Sequence, residues 1–341
     1  MPQKPTIRDV ARVADVSLGT ISNYLNGTKP VSPKSASAIE SAIQDLGFIP
    51  NSGARVMRGA RSHAIGFIIP DITNPFFIEV ARGIEDVAFR AGHVLVTCNT
   101  FGDPLREDHY ARSLSEMRVM GAIVTATTAT ESHLKLLASS GAALVVLGAP
   151  SSHPSLPTVS VDGELGGHLA MSHLLELGHR DIVLVGGPAG DMQIGERFEG
   201  AHRAWREMVG TSGAELRRVD AQGSTPATRM ASADVIAALD PMPTAVLCAN
   251  DVIALAISAR LSQLGFVIPD DISVVGYDDI DGAQLSAMPL TTIRQPQYDI
   301  GHAAAEMVLA LARGETLATR SASFDPVLMV RASTGAPRGP A

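Results

Sequence analysis

Residues 6–26 read TIRDVARVADVSLGTISNYLN, and this stretch decides how the N-terminal part of the chain folds. Its first half carries apolar residues at the three- and four-residue spacing of an amphipathic helix, namely Ile7, Val10, Ala11 and Ala14. Thr6 is a good N-cap, and Asp9 stands where a capping box places its acidic residue. The pattern predicts a short helix that begins just after Thr6.

The second half of the stretch predicts another helix, capped by Ser17. Its buried face is expected to consist of Thr20, Ile21, Tyr24 and Leu25. Asp15 lies in the turn between the helices, where a positive φ is needed and Asp is better tolerated than most residues. Two helices joined in this way form a helix-turn-helix, whose second helix enters a DNA major groove. A helical hairpin without a DNA role is the alternative.

A third helix is predicted to begin at Ser32, the N-cap, with Pro33 as its first helical residue. Gly47 suits the left-handed conformation that ends such a helix. Its inward face is expected to contain Ala36, Ile39, Ile43 and Leu46. Three helices complete a small headpiece over residues 1–50.

Charge is divided unevenly along the chain. The net charge is −8, but residues 1–61 hold eight Lys or Arg and four acids, which gives +4. The other 280 residues hold 19 bases and 31 acids, which gives −12. A basic head on an acidic body is typical of a small DNA-contacting module carried by a regulatory domain.

Residues 51–62 follow the headpiece as a hinge helix and linker. The helix-like part has only about two turns, and Gly53 weakens it by roughly 1 kcal/mol, so it is marginal in water. We predict a hinge that folds only when another molecule holds it. A plain linker is the alternative.

From Ala64 onward, short apolar strands alternate with amphipathic helices in two successive series. Near-continuous apolar strands between helices are typical of parallel sheets covered on both faces. The fold class is therefore predicted as α/β, with the headpiece followed by two doubly wound lobes. Ligands of such sheets bind beyond the carboxyl ends of the strands, where facing lobes form a cleft.

Motifs for catalysis and metal binding are missing or malformed. The run from Gly186 to Gly190 lacks GxGxxG spacing and contains Pro188, so it does not predict a dinucleotide site. His168 and His173 are five residues apart, which does not suit metal ligands on one helix face. No Ser or Cys stands in a nucleophile elbow. We therefore expect no enzyme, no metal and no cofactor.

Cys98 and Cys248 lie far apart in apolar runs, which favours buried thiols in a reducing compartment over a disulfide. No apolar run reaches the roughly 18 residues of a membrane span. Residues 1–20 lack the apolar core of a secretory signal. The expected location is the cytoplasm, without a membrane partner.

Motifs of fixed order and spacing run through the whole chain. They are TIRDVA at 6–11, LGFIPN at 46–51, PDITNPFF at 70–77, LGHR at 177–180, ISVVGYDD at 272–279 and LTTI at 290–293. Together they resemble the lactose-repressor/galactose-repressor (LacI/GalR) family of bacterial transcription regulators. The resemblance implies a periplasmic-binding-protein-like body and a homodimer, formed through the effector domain, that reads a near-palindromic operator in double-stranded DNA.

The same resemblance implies how the part of the chain that follows the hinge is divided. Residues 63–333 become the effector-binding and dimerisation domain, and the turn-rich residues 334–341 become a flexible tail. The chain crosses between the two lobes more than once. Their expected ranges are about 63–161 and 293–322 for lobe 1, and about 162–290 and 323–331 for lobe 2.

Within the headpiece, the resemblance places Leu18, Gly19 and Asn23 where they face base edges. Asn23 replaces the family's usual Arg, and Gly19 offers no side chain. Because Arg prefers guanine and Asn prefers adenine, the operator preference is expected to differ from that of common members. We interpret Tyr24 as a core residue. The remaining DNA-binding residues are expected to be Thr20, Ser22 and the phosphate-positioning Thr6, Ser17, Asn26, Ser32 and Asn51.

In the family, the hinge helices of two subunits pair and wedge into the minor groove at the operator centre. Met57 corresponds to the wedging leucine and is an apolar side chain of suitable length. Ala54 is small enough for close pairing, and Arg55 is expected against the DNA backbone or groove.

The family's effector contacts map onto residues that face the cleft. Phe76 and Phe77 supply an aromatic face, with core packing as the alternative for one of them. Arg197 needs a partner if it is buried, which an anionic or hydroxyl-rich ligand supplies. The polar candidates are Asp162, Asp191, Gln193, Arg197, Ser224, Asn250 and Asp278.

This polar set around an aromatic face predicts a sugar, because sugar hydroxyls both donate and accept hydrogen bonds. Ser224 stands where some relatives place a stacking aromatic, which argues against a flat nucleobase or nucleoside. A sugar phosphate is a further alternative. A solute-binding protein without a DNA role shares the two-lobed plan but lacks a basic headpiece. The sequence thus predicts a repressor whose cleft controls its hinge and operator affinity.

Overall fold

A computed structural model describes residues 5–26, 29–48, 61–125, 130–148, 155–187, 192–210, 216–221 and 225–338. The chain divides into two compact units, residues 1–62 and residues 63–341. Among the described residues, no helix is both long enough and apolar enough to cross a membrane.

The N-terminal unit contains α1 (Ile7–Val13), α2 (Leu18–Asn26) and α3 (Pro33–Leu46). Asp15 has a φ of 50°, so the turn between α1 and α2 has the left-handed residue that the sequence predicts. The two short helices and the turn form the expected helix-turn-helix, and α3 completes the headpiece.

Side chains fix where these helices begin and end. The Asp9 carboxylate accepts the Thr6 amide at 2.9 Å and the Thr6 hydroxyl at 2.7 Å. The Ser17 hydroxyl accepts an amide of the first turn of α2 at 3.0 Å, and the Ser32 hydroxyl does the same in α3 at 3.1 Å. Gly47 ends α3 with a φ of 59°. The predicted caps therefore set the lengths of the helices.

The three helices pack over a small core that contains the fully buried Val10, Ile21 and Ile39. Tyr24 packs against this core, and its hydroxyl donates to Glu40 Oε1 at 2.5 Å. Tyr24 therefore ties α2 to α3, as its interpretation as a core residue requires.

Lobe 1 of the larger unit is a parallel sheet covered by helices. Its strands are β1 (Ala64–Ile69), β2 (Val94–Asn99), β3 (Gly121–Thr125), β4 (Ala143–Leu147), β5 (Thr158–Val161) and β11 (Ser321–Phe324). Its helices are α4 (Pro75–Arg90), α5 (Pro104–Glu116), α6 (Thr130–Ser139) and α12 (Gln297–Ala312). The strand order is β11-β5-β4-β3-β1-β2, and every residue of β1 is buried, as expected of a central parallel strand.

Lobe 2 is also a parallel sheet covered by helices, except that one of its edge strands is antiparallel. Its strands are β6 (Ile182–Gly186), β7 (Arg217–Asp220), β8 (Ala245–Cys248), β9 (Ser273–Asp278), β10 (Thr291–Arg294) and β12 (Val327–Met329). Its helices are α7 (Gly163–Glu176), α8 (Met192–Met208), α9 (Pro226–Ala237), α10 (Asp251–Gln263) and α11 (Asp281–Leu285). The order is β12-β10-β9-β8-β6-β7, with β12 antiparallel to β10.

The chain passes between the lobes after β5, after β10 and after β11. Two of these positions differ slightly from the predicted lobe boundaries. Residues 293 and 294 pair with β9 in lobe 2, and residues 323 and 324 pair with β5 in lobe 1. The boundaries implied by the resemblance are therefore shifted by two residues at each position, because strand pairing keeps residues 293 and 294 in lobe 2 and residues 323 and 324 in lobe 1.

Thr334 and Gly335 pack against lobe 2, which corrects the first part of the flexible tail predicted for residues 334–341. The Thr334 hydroxyl lies 2.9 Å from His173 Nε2, and the Gly335 carbonyl accepts a hydrogen bond from His179 Nε2 at 2.9 Å. These partners lie far away in sequence, so the turn-rich composition gave no sign of them. The last three residues lie outside the described part of the chain.

These contacts predict a pH-dependent stability. Burial lowers the pKa of His179 and of His173 below the ordinary value of 6.5. The unfolded chain therefore binds protons more tightly than the folded chain. The contribution of these histidines to the free energy of unfolding has its full value above about pH 6.5. It decreases as the pH falls toward their lowered pKa values in the folded chain.

We expect urea unfolding to show a smaller free energy of unfolding at about pH 5.5 than at about pH 7.5. His179→Gln should reduce this difference, because glutamine keeps a donor near Gly335 but does not titrate. His109→Gln is the matched control, since His109 is exposed on α5. An unchanged difference in the His179 variant would exclude this histidine as a source of the pH dependence.

Candidate functional site

The first part of the candidate site is the partly exposed face of α2. Leu18 is 46% exposed and Gly19 is exposed, whereas Thr20, Ser22 and Asn23 are half-buried. An exposed apolar side chain at the start of such a helix suits contact with a thymine methyl group.

The predicted phosphate-positioning residues Thr6, Ser17 and Ser32 are all exposed at the starts of helices. Their side chains take part in the caps described above, so their structural role is shown, whereas a phosphate contact remains a prediction. The other predicted DNA contacts lie outside the part of the chain whose side chains are described, namely Asn26, Asn51, Ala54, Arg55 and Met57.

A cavity of about 500 Å³, which includes its solvent-open part, lies between the two lobes of the larger unit. Its lobe 1 wall is formed at the carboxyl ends of β3, β4 and β5, by Thr125, Leu147 and Val161. Its lobe 2 wall comes largely from the first turns of α8 and from Tyr277 in β9. This is the position at which doubly wound sheets bind ligands.

The sequence predicted four of the residues that line this cavity, namely Phe76, Phe77, Gln193 and Arg197. Gln193 and Arg197 lie four residues apart on α8, so they share the helix face that is directed at the cavity. The polar and aromatic lining residues that the sequence did not predict are Thr125, Ser160, Glu196, Tyr277 and Gln295.

The two phenylalanines of α4 have different roles. Phe77 is 7% exposed and belongs to the lobe 1 core. Phe76 is half-buried and packs against the cores of both lobes, and the two rings meet edge to face at 5.1 Å. The alternative of core packing therefore applies to Phe77, while Phe76 is the more accessible aromatic surface.

Arg197 is held over the ring of Tyr277, with its guanidinium carbon 3.8 Å from the ring centroid. It donates a hydrogen bond to the Ala249 carbonyl and lies 3.7 Å from Asp278 Oδ1. The backbone of α8 can place it there because α7 approaches very closely. A Cβ atom added at Gly167 would lie 1.7 Å from the Arg197 carbonyl oxygen, so only glycine fits.

Asp278 is 1% exposed, and donors from several elements surround its carboxylate. Asn74 Nδ2 donates to it at 3.1 Å and Gln295 Nε2 at 2.7 Å. Burial raises the pKa of Asp278 to about 6, while Arg197 and these two donors oppose the rise. Asp278 also has a φ of 117°, a strained conformation that its hydrogen bonds help to hold.

A second buried carboxyl, Asp251, lies close to Asp278. It accepts hydrogen bonds from the Thr292 hydroxyl at 2.6 Å and from the Ile280 amide at 2.9 Å. Burial and the nearby charge of Asp278 raise the pKa of Asp251 to about 8. Asp251 was not among the predicted site residues, although its place directly after Asn250, at the start of α10, was a usable signal.

Two buried hydroxyl groups of cavity-lining residues have no hydrogen-bond partner within the described structure. They are Thr125 Oγ1 and the hydroxyl of Tyr277. Leaving a buried hydroxyl unpaired is unfavourable, so a polar ligand or water that reaches these groups is stabilised.

Three other predicted effector residues are not among the residues that line the cavity, namely Asp162, Asn250 and Asp278. Asp162 is exposed and caps α7, where it accepts the Leu165 amide at 2.8 Å. Asn250 caps α10 in the same way through the Ile253 amide at 2.9 Å. A carboxylate or amide directly after a strand also suits a helix N-cap, and an effector contact by either side chain stays a prediction. Asp191 and Ser224 lie outside the described residues.

Within the described residues, no group of three or more His, Cys, Asp or Glu side chains is arranged to hold a metal ion. His168 instead pairs with Glu207 at 2.8 Å. Cys98 and Cys248 are both free and buried.

Comparison with known proteins identifies this arrangement. The model "Bacterial regulatory proteins, lacI family" matches residues 6–51, and "Periplasmic binding protein-like domain" matches residues 171–334. HTH-type transcriptional repressor PurR of Photobacterium profundum is 33% identical over 329 residues, which cover 96% of this chain and 98% of the relative. The chain belongs to the lacI family of bacterial regulatory proteins.

Solved structures with this architecture include the transcriptional regulator CelR–cellobiose complex, with a TM-score of 0.69 and 27% identity over 96% of this chain and 99% of that one. A LacI family regulator from Enterococcus faecium with bound ribose has a TM-score of 0.71 and 29% identity over 81% of this chain and 100% of that one. This LacI-family protein is a ligand-responsive transcriptional repressor and not an enzyme. Repressors of the family bind operator DNA and small effectors and act as dimers.

The buried pair of Arg197 and Asp278 gives a test of this geometry. Arg197→Gln should lower the free energy of unfolding more at about pH 8 than at about pH 5. The two losses should differ by roughly 1–3 kcal/mol. The reason is that Asp278 is charged above its raised pKa and then needs the cation, whereas protonated Asp278 does not. Urea unfolding of the wild type and the variant at both pH values measures the difference.

Arg206→Gln is the matched control, because Arg206 lies on the same helix in an exposed pair with Glu199. Its effect should be small at both pH values. Equal losses at both pH values in the Arg197 variant would show that the guanidinium does not stabilise the Asp278 carboxylate.

Proposed function

We propose that this repressor responds to a sugar bound in the cavity between its lobes. The observation that carries the proposal is the spread of polar groups around one accessible aromatic ring, Phe76. The unpaired hydroxyls of Thr125 and Tyr277 belong to different lobes, and Gln193 and Arg197 line a further part of the wall. A sugar ring carries hydroxyls around its whole edge, each of which both donates and accepts.

The aromatic geometry favours a sugar over a flat base. Phe76 and Phe77 stand edge to face, with an angle of 87° between their rings, and Arg197 covers one face of Tyr277. In the described part of the cavity wall, these rings do not form a parallel pair that encloses a flat ligand. The structures with bound ribose and cellobiose support a sugar in this type of cleft.

A nucleobase or nucleoside is the second candidate, and the relatives named PurR favour it. Phe76 offers such a ligand one stacking face, and Gln193 and Arg197 offer hydrogen bonds to its edge. A sugar phosphate fits less well. Glu196 lines the cavity, and Asp278 lies beside Arg197, so carboxylates flank the only basic side chain in the described lining.

The proposed control runs from the cleft to the DNA. Effector binding changes the balance between open and closed lobes, and the two hinges of a dimer then place their headpieces in or out of register with the operator. The exposed Leu18 and the half-buried Asn23 of α2 read bases, Thr6, Ser17 and Ser32 position phosphates, and Arg55 and Met57 act at the operator centre. A protein that reads chromosomal operators works in the cytoplasm.

A thermal-shift panel tests the effector class. We expect one or more sugars from a set that includes ribose and cellobiose to raise the melting temperature of the full chain. At a concentration of about 100 times Kd, the rise should be roughly 5–10 °C. Purine bases, nucleosides and sugar phosphates form the other arms of the panel.

Phe76→Ala should abolish the shift by the compound that stabilises the wild type, since it removes the accessible aromatic surface. Phe89→Ala is the matched control, because Phe89 lies on the same helix and is 75% exposed. A shift produced only by purine bases or nucleosides would overturn the sugar proposal in favour of the second candidate. A shift that survives in the Phe76 variant would place the binding site elsewhere.

A further inference from the structure

Residues 71–74, in the loop between β1 and α4, reach from lobe 1 to lobe 2 outside the cavity. Asp71 Oδ2 accepts a hydrogen bond from Arg229 Nη2 of α9 at 2.7 Å. The two side chains are 20% and 9% exposed, so water screens this ion pair less than an exposed one. The described structure thus contains a partly buried ion pair between the two lobes.

Local hydrogen bonds orient the Asp71 carboxylate. Its other oxygen, Oδ1, accepts the Thr73 amide at 2.9 Å and the Thr73 hydroxyl at 2.7 Å. Arg229 Nη2 also lies 3.4 Å from the Thr73 hydroxyl. Because local hydrogen bonds hold the acceptor, less side-chain entropy is lost when the ion pair forms.

Both ends of the ion pair are attached to rigid parts of their lobes. In lobe 1, the Ile72 amide donates to Asn99 Oδ1 at 3.2 Å. In lobe 2, Arg229 lies one turn before Ala233, which is fully buried in the lobe 2 core. Movement of the lobes apart therefore breaks the contact between Asp71 and Arg229.

The same loop makes a second contact across the cleft. Asn74 caps α4 by accepting the Phe76 amide at 3.0 Å, and its Nδ2 donates to Asp278 at 3.1 Å. One short loop thus holds lobe 2 at two points. The Asp71–Arg229 pair differs from the Asn74 contact because Asp278, the partner of Asn74, also contacts the cavity-lining residues Arg197 and Gln295.

We propose that Asp71, Thr73 and Arg229 form a latch that holds the lobes closed without a bound effector and so sets the effector affinity without touching the effector. The link to affinity rests on the proposed function, in which the effector binds between closed lobes. The apparent Kd of such an effector is its intrinsic Kd divided by the closed fraction. Breaking the latch should lower the closed-to-open ratio about tenfold, the scale of a partly buried, charge-assisted contact.

The test measures lobe separation in the full-length protein without any ligand. Spin labels are attached at Leu105→Cys in lobe 1 and Ala231→Cys in lobe 2, both of which are exposed. Cys98 and Cys248 are buried, so labelling is selective for the new cysteines. Pulsed dipolar spectroscopy then gives the distribution of distances between the labels.

In samples diluted with unlabelled protein, so that most dimers carry one labelled chain, we expect one narrow distribution in the labelled parent and an added population at longer distance in Asp71→Asn and Arg229→Gln. The Asp71→Asn, Arg229→Gln double variant should open no further than either single variant, because both remove the same contact. Thr73→Val, which keeps the ion pair but removes one orienting hydroxyl, should open less. It also provides a milder variant if a charge substitution prevents folding.

Asp234→Asn is the control, because it breaks an exposed pair with Arg260 on the same helix as Arg229. It should keep the parent distribution. Parent-like distributions in Asp71→Asn and Arg229→Gln, or equal opening in the control, would overturn the latch. This measurement needs no effector, so a failure of the sugar proposal in the thermal-shift panel leaves its outcome unaffected.

Discussion

The cleft depends on how one buried charge is satisfied. The Asp278 carboxylate would be costly to bury without partners, and its partners come from different parts of the fold. Asn74 approaches from lobe 1, Arg197 belongs to lobe 2, and Gln295 lies in the crossover after β10. These contacts form together only when the lobes face each other as they do here, so the carboxylate couples lobe geometry to the chemistry of the cavity.

Close packing of α7 against α8 helps to hold Arg197 in place. A Cβ atom at Gly200 would lie 1.9 Å from the Glu164 carbonyl, which matches the contact of Gly167 with the Arg197 carbonyl from the opposite helix. Glycines on both helices thus let the backbones of α7 and α8 touch. Lobe 1 uses the same device, since a Cβ atom at Gly83 would lie 2.1 Å from the Tyr298 carbonyl. Such backbone contacts leave little freedom for the helices that carry the lining residues.

Local signals in the sequence predicted much of this structure. The headpiece caps and the left-handed Asp15 follow from short-range rules, and the long apolar strands predicted two parallel sheets. Short or polar edge strands such as β7 and β11 could not be predicted in this way, because four residues carry little periodicity and their pairing is decided by distant strands.

The candidate site was predicted only in part for the same reason. Phe76, Gln193 and Arg197 were found through the resemblance, and they do line the cavity. Asp162 and Asn250 have the right residue types, but local capping uses their side chains. Asn74 and Gln295 were missed because their roles depend on contacts between lobes, although Asn74 stands within the PDITNPFF motif.

We expect occupancy of the cleft and binding of the operator to be coupled. The most direct measurement is reciprocal. The Kd for an operator duplex selected from random DNA is measured with and without the stabilising compound from the panel, and the Kd for that compound is measured with and without the duplex. We predict that both constants change by the same factor, of about 5–150-fold, because linkage requires it. Two constants that do not change would contradict control of the operator by this cleft.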